Sequence, residues 1–290
     1  MRLVTFSDGG GARAGALVDG GASLVDLHAA DRGLPSSVID VLRGGPEILA
    51  RARAVSDEPS RWGLLKRGSV HLHAPIPAPG KFLCIGYNYR GHGPGSEANI
   101  PEYPDVFVKT QNTVIGTDDA IRLPRASQSI DYEGELGVVV GATASAISVA
   151  DALDYVAGYT VVNDVSARDV QKRGSQWVLG KSFDTFGPMG PALVTADEIP
   201  DPQALEITVR SNETVTVRST TADMIFTVAY LVSYLSSVIT LEPGDVIATG
   251  TPGKIPEIGA LGRFMQADDI VAITYGAVGT LVNRVEGPRL

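Results

Sequence analysis

Residues 131–140, DYEGELGVVV, place two acidic side chains at the start of an apolar, valine-rich run. Valine-rich runs favour β-strands, and side chains two positions apart in a strand point to the same face. Glu133 and Glu135 are therefore predicted to lie side by side at the start of a buried strand. Because adjacent carboxylates repel, a hard divalent cation such as Mg²⁺, Mn²⁺ or Ca²⁺ would neutralise them. The alternative is that both glutamates are solvated at an exposed edge, and these residues alone leave both interpretations open.

Composition narrows the class of protein. The 290 residues are 44% hydrophobic and 20% charged, which is typical of a globular protein with a large core. The net charge of -9 disfavours nucleic-acid binding, which needs a basic face, but it allows a small anionic ligand. Cys84 is the single cysteine, so one chain can form neither an internal disulfide nor a cysteine metal cluster. The N-terminus lacks the apolar stretch of a signal peptide and no window is long enough to span a membrane, which predicts a cytoplasmic protein.

The chain divides into two predicted domains. Residues 1–73 are predicted to form a small accessory domain, and APIPAPG at residues 74–80 begins a second domain over residues 74–290. The second domain has one clear helical pattern, over residues 221–240, with Ser219 or Thr220 as its candidate N-cap. Predicted strands outnumber helices and favour a β-rich α+β fold. In the first domain the predicted elements are strands 2–6 and 14–18 and one or two helices within 40–55; in the second domain the predicted strands are 82–85, 105–108, 135–140, 155–163, 206–210, 245–249 and 269–274.

Further candidate residues follow the ends of the predicted strands. If residues 164–171 form a helix, Asp164, Arg168 and Gln171 share one helical face, as a polar site or only as a surface ion pair. Lys109 and Lys181 each follow an apolar run and are either held inward or exposed.

Two loops complete the candidate set. Thr251 follows the strand predicted at 245–249, where hydroxyl and backbone groups could bind a carboxylate or simply form a turn. His92 lies in a Gly- and Pro-rich loop, residues 88–104, of the kind that often closes over a site. A histidine there could act as a general base or could merely be exposed.

Taken together, these motifs resemble the fumarylacetoacetate hydrolase family. The motifs that carry the resemblance are, in chain order, GYNY at 86–89 with His92, FVK at 107–109, DYEGEL at 131–136, NDVSARD at 163–169 with Gln171, KSFD at 181–184, LEPGD at 241–245 and TGTP at 249–252. The match spans about residues 75–285 in the expected order. The resemblance implies a mixed β-sheet roll with few helices, preceded by a small N-terminal α/β domain, and it suggests a homodimer.

The resemblance also implies roles for individual residues. A divalent cation, most simply Mg²⁺ or Mn²⁺ with Ca²⁺ as an alternative, would bind the metal ligands and be chelated by a small anionic 2-oxo acid. Family members commonly carry a glutamate three residues after the lid histidine, where this chain has Gly95, so Glu97 is the candidate replacement. The implied metal ligands are Glu133, Glu135 and Asp164; the implied catalytic residues are His92, Glu97 and Lys181; the implied substrate contacts are Tyr89, Lys109, Arg168, Gln171 and Thr251.

The leading functional prediction is a metal-dependent hydrolase that cleaves a C–C bond in an acylpyruvate or related 2,4-dioxo acid, as in aromatic catabolism. The first alternative is a decarboxylase or tautomerase of a 2-oxo diacid such as oxaloacetate. It gains weight from Gly95, because it needs no water activated by a histidine–glutamate pair. A lyase or dehydratase of a sugar-derived 2-oxo acid is a further alternative. So is a non-catalytic protein that binds a metal and an organic acid.

Overall fold

The computed structural model describes residues 1–92, 100–256 and 263–288. The helices in these ranges are α1 Leu27–Ala30, α2 Val38–Arg43, α3 Gly45–Asp57, α4 Arg168–Gln171, α5 Val178–Lys181 and α6 Val228–Ser236. The strands are β1 Arg2–Ser7, β2 Arg13–Val18, β3 Ser23–Asp26, β4 Leu64–Lys66, β5 His71–Leu72, β6 Phe82–Gly86, β7 Asp105–Val108, β8 Val114–Ile115, β9 Ile121–Arg122, β10 Ile130–Asp131, β11 Gly134–Val140, β12 Val156–Asn163, β13 Ser166–Ala167, β14 Gly187–Thr195, β15 Glu206–Ser211, β16 Thr214–Thr220, β17 Val246–Ala248, β18 Ile270–Tyr275 and β19 Gly279–Glu286.

These strands form two large sheets and one small ladder. The larger sheet has 12 strands in the order β4-β3-β2-β1-β14-β12-β11-β17-β6-β7, with β5 on β1 and β8 on β14. A second sheet has the order β16-β15-β18-β19-β9, and β10 pairs with β13. The β17–β6 pair is parallel, whereas β11 is antiparallel to both of its neighbours, so the large sheet is mixed. The predicted β-rich α+β fold is confirmed.

The N-terminal strands continue the large sheet. β1 pairs antiparallel with β14 through Arg2↔Val194 and Leu3↔Leu193, which joins residues far apart in sequence. Helices α2 and α3, which together cover the segment predicted as one or two helices, lie against β2. The division of the chain at residue 73 stays a prediction, because the sheet runs across it without a break.

Helix α6 is shorter than the sequence pattern predicted. It begins after Thr227, whose hydroxyl caps it by accepting from a backbone N–H in its first turn. Thr220, one of the two predicted caps, instead caps a short 3₁₀ turn. The predicted start of the helix was wrong because Asn88 pairs with the segment before α6. Its side-chain oxygen accepts from Phe226 N at 2.7 Å and its carbonyl from Ile225 N at 2.8 Å.

The middle of the large sheet is buried on both faces. Every residue of β11 is buried. Leu136 and Val138 pack into one hydrophobic cluster, and Val139 packs into another on the opposite face. Close packing on two faces fixes the position of the residues at the start of β11.

No helix within the described ranges is long and apolar enough to cross a membrane. The cytoplasmic location and the homodimer stay predictions.

Candidate active site

The pairing of β11 with β12 brings the predicted metal ligands together. The register sets Gly134 opposite Asn163, so the residue before β11 lies beside the residue after β12. Asp164 N donates to the Glu133 carbonyl at 2.9 Å, which locks this approach. Glu133, Glu135 and Asp164 are all buried, and each offers a carboxylate oxygen within 4.8 Å of the other two. Three carboxylates from two segments of the chain therefore lie close together.

Two buried lysines neutralise part of this negative charge. Lys181 ends α5, and its ammonium nitrogen lies 2.5 Å from Glu133 Oε2 and 2.5 Å from Asp164 Oδ2. Lys109 follows β7 and donates to Asp164 Oδ1 at 2.6 Å and to the Val165 carbonyl at 3.1 Å. Burial opposes the charged form of Lys181, but attraction to Asp164 and Glu133 outweighs it and raises the pKa of the lysine. Both lysines are held inward, which was one of the two alternatives open from the sequence.

Glu135 is the carboxylate without a matching cation among the residues that the structure describes. It accepts a hydrogen bond from Gly250 N at 2.8 Å. Burial, followed by repulsion from Asp164 and Glu133, raises the pKa of Glu135 well above its ordinary value. Burial acts in the same direction on Glu133, but Arg168 and Lys181 lower the pKa of that carboxyl well below its ordinary value. A divalent cation fits this site, because its ligands are all hard oxygens and one buried carboxylate still needs a positive partner.

Arg168 extends the charged cluster away from the carboxylates. Its Nη2 donates to Glu133 Oε1 at 2.7 Å and to Asp131 Oδ2 at 3.0 Å, and its Nη1 donates to Gln171 Oε1 at 3.2 Å. The predicted helical face shared with Asp164 was wrong, because α4 begins only at Arg168. The β10–β13 ladder intervenes and places Arg168 beside Asp131 instead.

The triad opens into a cavity of about 490 Å³. His92 lines this cavity, and burial lowers its pKa, so the imidazole is neutral at neutral pH. The other residues that line this cavity include Arg168, Gln171, Trp177, Lys181 and Thr251. The cavity therefore combines the three carboxylates, one buried lysine, a neutral histidine and an arginine.

Two predicted site residues, Tyr89 and Lys109, do not line this cavity. Tyr89 is fully buried in the hydrophobic core and does not line the cavity. Lys109 does not line it either, but holds Asp164 from behind. Glu97 falls outside the described residues.

Sequence reasoning missed two residues near the site. Trp177 packs against Gly86, where an added Cβ would lie 2.7 Å from the indole ring. Lys254 contacts Asp131 at 2.5 Å and lies over the Tyr132 ring. Its signal was a lysine two residues after TGTP, in a loop that the resemblance already placed near the substrate.

Fold and site define a β-rich enzyme scaffold with three buried carboxylates that could hold a metal ion. Residues 81–286 match the family model described as fumarylacetoacetate (FAA) hydrolase C-terminal. The chain belongs to this family, which confirms the resemblance seen in the sequence.

Two relatives are similar over nearly the whole chain. The mitochondrial oxaloacetate tautomerase fahd2 of Xenopus laevis is 41% identical over 292 residues, covering 98% of this chain and 90% of the relative. The oxaloacetate tautomerase YisK of Bacillus subtilis is 40% identical, covering 90% and 92%. Among solved structures, maleylpyruvate hydrolase from Sphingobium sp. SYK-6, in complex with manganese (II) ion and pyruvate, has a TM-score of 0.81. It is 26% identical and each chain is fully covered.

Proposed function

We propose that this protein is a divalent-cation-dependent tautomerase that interconverts the keto and enol forms of oxaloacetate or a closely related 2-oxo diacid. The main support for this proposal is the buried Glu133–Glu135–Asp164 cluster beside Lys181. It opens to a cavity that His92 and Arg168 also line. The two tautomerase relatives favour this alternative over the hydrolase that was the leading prediction from sequence.

Keto–enol exchange requires one proton to move at C3 of the substrate and another at the C2 oxygen. A cation held by Glu133, Glu135 and Asp164 would polarise the 2-oxo group and so acidify the neighbouring C–H bond. Lys181 supplies fixed positive charge for the C2 oxygen as it becomes negative. His92, neutral because burial lowers its pKa, takes the proton from C3 and delivers it to the C2 oxygen, and it makes the same two transfers in reverse when the enol returns to the keto form.

Substrate placement falls to the polar residues of the wall. Arg168 is fixed by Asp131 and Glu133, and it in turn donates to Gln171. An arginine held in this way keeps its guanidinium in one orientation, which suits a planar carboxylate. Thr251 lines the same cavity and adds a hydroxyl. Lys109 is assigned a positioning role, because it touches Asp164 rather than the cavity.

A second candidate function is hydrolysis of a C–C bond in an acylpyruvate. Its supporting observation is His92 in the cavity wall, where a neutral imidazole could activate water. The manganese-containing structural neighbour is a maleylpyruvate hydrolase, which supports hydrolysis as a candidate. Gly95, where family members commonly carry a glutamate, weighs against this candidate.

Three assays on one preparation separate the candidates. Loss of the enol absorbance of oxaloacetate reports tautomerisation, pyruvate release reports decarboxylation, and cleavage of an acylpyruvate reports hydrolysis. Each is run after chelation and again after adding back Mg²⁺ or Mn²⁺. We expect metal-restored tautomerisation to exceed both other rates. Tautomerisation no faster than the uncatalysed rate, or equally fast after chelation, contradicts the proposal.

A further inference from the structure

A second cavity lies beside the first, next to the three carboxylates. It has a volume of about 290 Å³ and shares His92, Glu133, Arg168 and Thr251 with the first cavity. Glu135, Asp164 and Lys181 line only the first, whereas Lys254 and Asp131 line only the second. The first cavity is named the head lobe, the second, at Lys254, the side lobe, and the two together the cleft.

Lys254 has binding capacity left in the side lobe. Its ammonium contacts Asp131 Oδ1 at 2.5 Å and lies 4.3 Å from the centre of the Tyr132 ring. An ammonium carries three N–H donors, and Asp131 is its one hydrogen-bond partner in the described parts of the chain. The side chain is a quarter exposed, towards the side lobe that it lines. A ligand carboxylate there could be bound without breaking the contact with Asp131.

The charges of the cleft favour a dianion over a monoanion. An unbroken chain of ion pairs runs from Lys109 through Asp164, Lys181, Glu133, Arg168 and Asp131 to Lys254. Together with ionised Glu135, these groups are four cations and four carboxylates, whose formal charges cancel, and the exposed Lys172 adds one positive charge at the rim of the head lobe. A divalent cation raises the net positive charge by two. Oxaloacetate, with two carboxylates, neutralises two of these charges, whereas a monocarboxylate such as pyruvate neutralises one.

We propose that Lys254, beside Arg168, forms the subsite for the second carboxylate of a 2-oxo diacid, an inference that rests on the proposed function. The keto acid head occupies the head lobe, and the distal carboxylate reaches the side lobe. Lys254 is thereby the residue that selects dianionic over monoanionic 2-oxo acids.

Pyruvate and oxaloacetate test this directly, because they share the 2-oxo acid head and differ by the distal carboxylate. Trp177 lines the head lobe, so quenching of its fluorescence reports binding of either ligand to Mn²⁺-loaded protein. In Lys254→Met we expect oxaloacetate to bind about 10- to 100-fold more weakly, the range for a hydrogen bond to a charged group. Pyruvate affinity should stay within about twofold, because the head lobe is untouched.

Three variants complete the design. Lys254→Gln is a second neutral replacement in case Lys254→Met does not fold, and Lys254→Arg should retain most of the oxaloacetate affinity. Lys66→Met, at an exposed lysine of β4, is the matched control and should change neither ligand. An equal loss of affinity for both ligands assigns Lys254 a merely structural role and overturns the proposal, as does unchanged affinity for both.

The two proposals fail separately. If wild-type protein does not tautomerise oxaloacetate but the neutral Lys254 variants selectively weaken oxaloacetate binding, the proposed function falls and the subsite stands. If tautomerisation is present and the two ligands respond alike to loss of Lys254, the subsite falls and the proposed function stands.

Discussion

The replacement Glu135→Gln should make the metal-free protein more stable, which is the opposite of the usual effect of a mutation in a buried site. Glu135 is 2% exposed, accepts one hydrogen bond from Gly250 N, and faces two other carboxylates. Removing an uncompensated buried group raises the free energy of unfolding by about 1–3 kcal/mol, and by more when the group is charged. One kcal/mol shifts Tm by roughly 2–4 °C in domains of 150–250 residues, so we expect a rise of several degrees after chelation.

Whether Glu135→Gln is more or less stable than wild type should depend on pH and on bound metal. Because the folded-state pKa of Glu135 is raised, its contribution to stability is complete below its ordinary value of 4.5 and is lost as pH rises through the folded-state pKa. The stability advantage of Glu135→Gln is therefore largest at alkaline pH. Saturating metal should reverse the order, since a ligand at 100 times its Kd stabilises wild-type protein by about 2.7 kcal/mol. The variant, lacking one ligand, gains less.

Glu133→Gln is the matched control with the opposite expected sign. Glu133 pairs with Lys181 and Arg168, so removing its charge takes from each cation one of its two carboxylate partners. Breaking a buried pair costs about 3–5 kcal/mol, and metal-free Glu133→Gln should unfold at a lower temperature than wild type. Calorimetry of all three proteins, chelated and Mn²⁺-loaded, gives the answer. If chelated Glu135→Gln protein is no more stable than wild type at any pH tested, Glu135 is not an uncompensated buried charge.

Three further predictions concern the residues around the triad. His92→Ala should lower the rate of tautomerisation by about 10²–10⁴-fold. Because the pKa of His92 is lowered, wild-type kcat/KM should fall only at pH values below the ordinary titration range of histidine, and the same fall at acid pH in the variant would contradict this role. Lys109→Met should lower the free energy of unfolding of chelated protein in urea by about 3 kcal/mol or more, and metal should restore part of this loss. A loss no larger than that in Lys66→Met would contradict the positioning role of Lys109. Gly250→Ala should weaken metal affinity in calorimetric titration, because the residue has φ +94° and an added Cβ would lie 2.9 Å from the Asn88 Cβ. The control Gly68→Ala, which has open space around it, should leave the affinity unchanged, and equal affinities of the two variants would mean that Gly250 has no role in holding Glu135.

The sequence was sufficient to predict the strands that carry the site. Apolar, valine-rich runs predicted β11 and β12 closely, and both glutamates line one cavity, as expected for side chains two positions apart in an extended segment. These patterns are local, so they can be recognised without knowledge of the tertiary contacts. The identity of Asp164 as the third member came from the family resemblance, because no local pattern states which strands pair.

The features that escaped prediction depend on contacts between distant segments. The start of α6 is set by Asn88, about 140 residues earlier in the chain, through its bond to Phe226 N. The join between β1 and β14 likewise depends on long-range pairing. Lys254 could not be assigned a partner, because its position beside Asp131 requires the loop after β17 to fold back over the start of β11.

A crystal structure of the protein with Mn²⁺ and oxalate, examined for the anomalous signal of manganese, shows whether the three carboxylates hold a divalent cation. We expect one strong anomalous peak directly coordinated by Glu133, Glu135 and Asp164, with both oxalate carboxylates on the side facing the cavity. Full-occupancy manganese bound elsewhere, or oxalate in the cavity with no ion among the three carboxylates, would contradict this expectation.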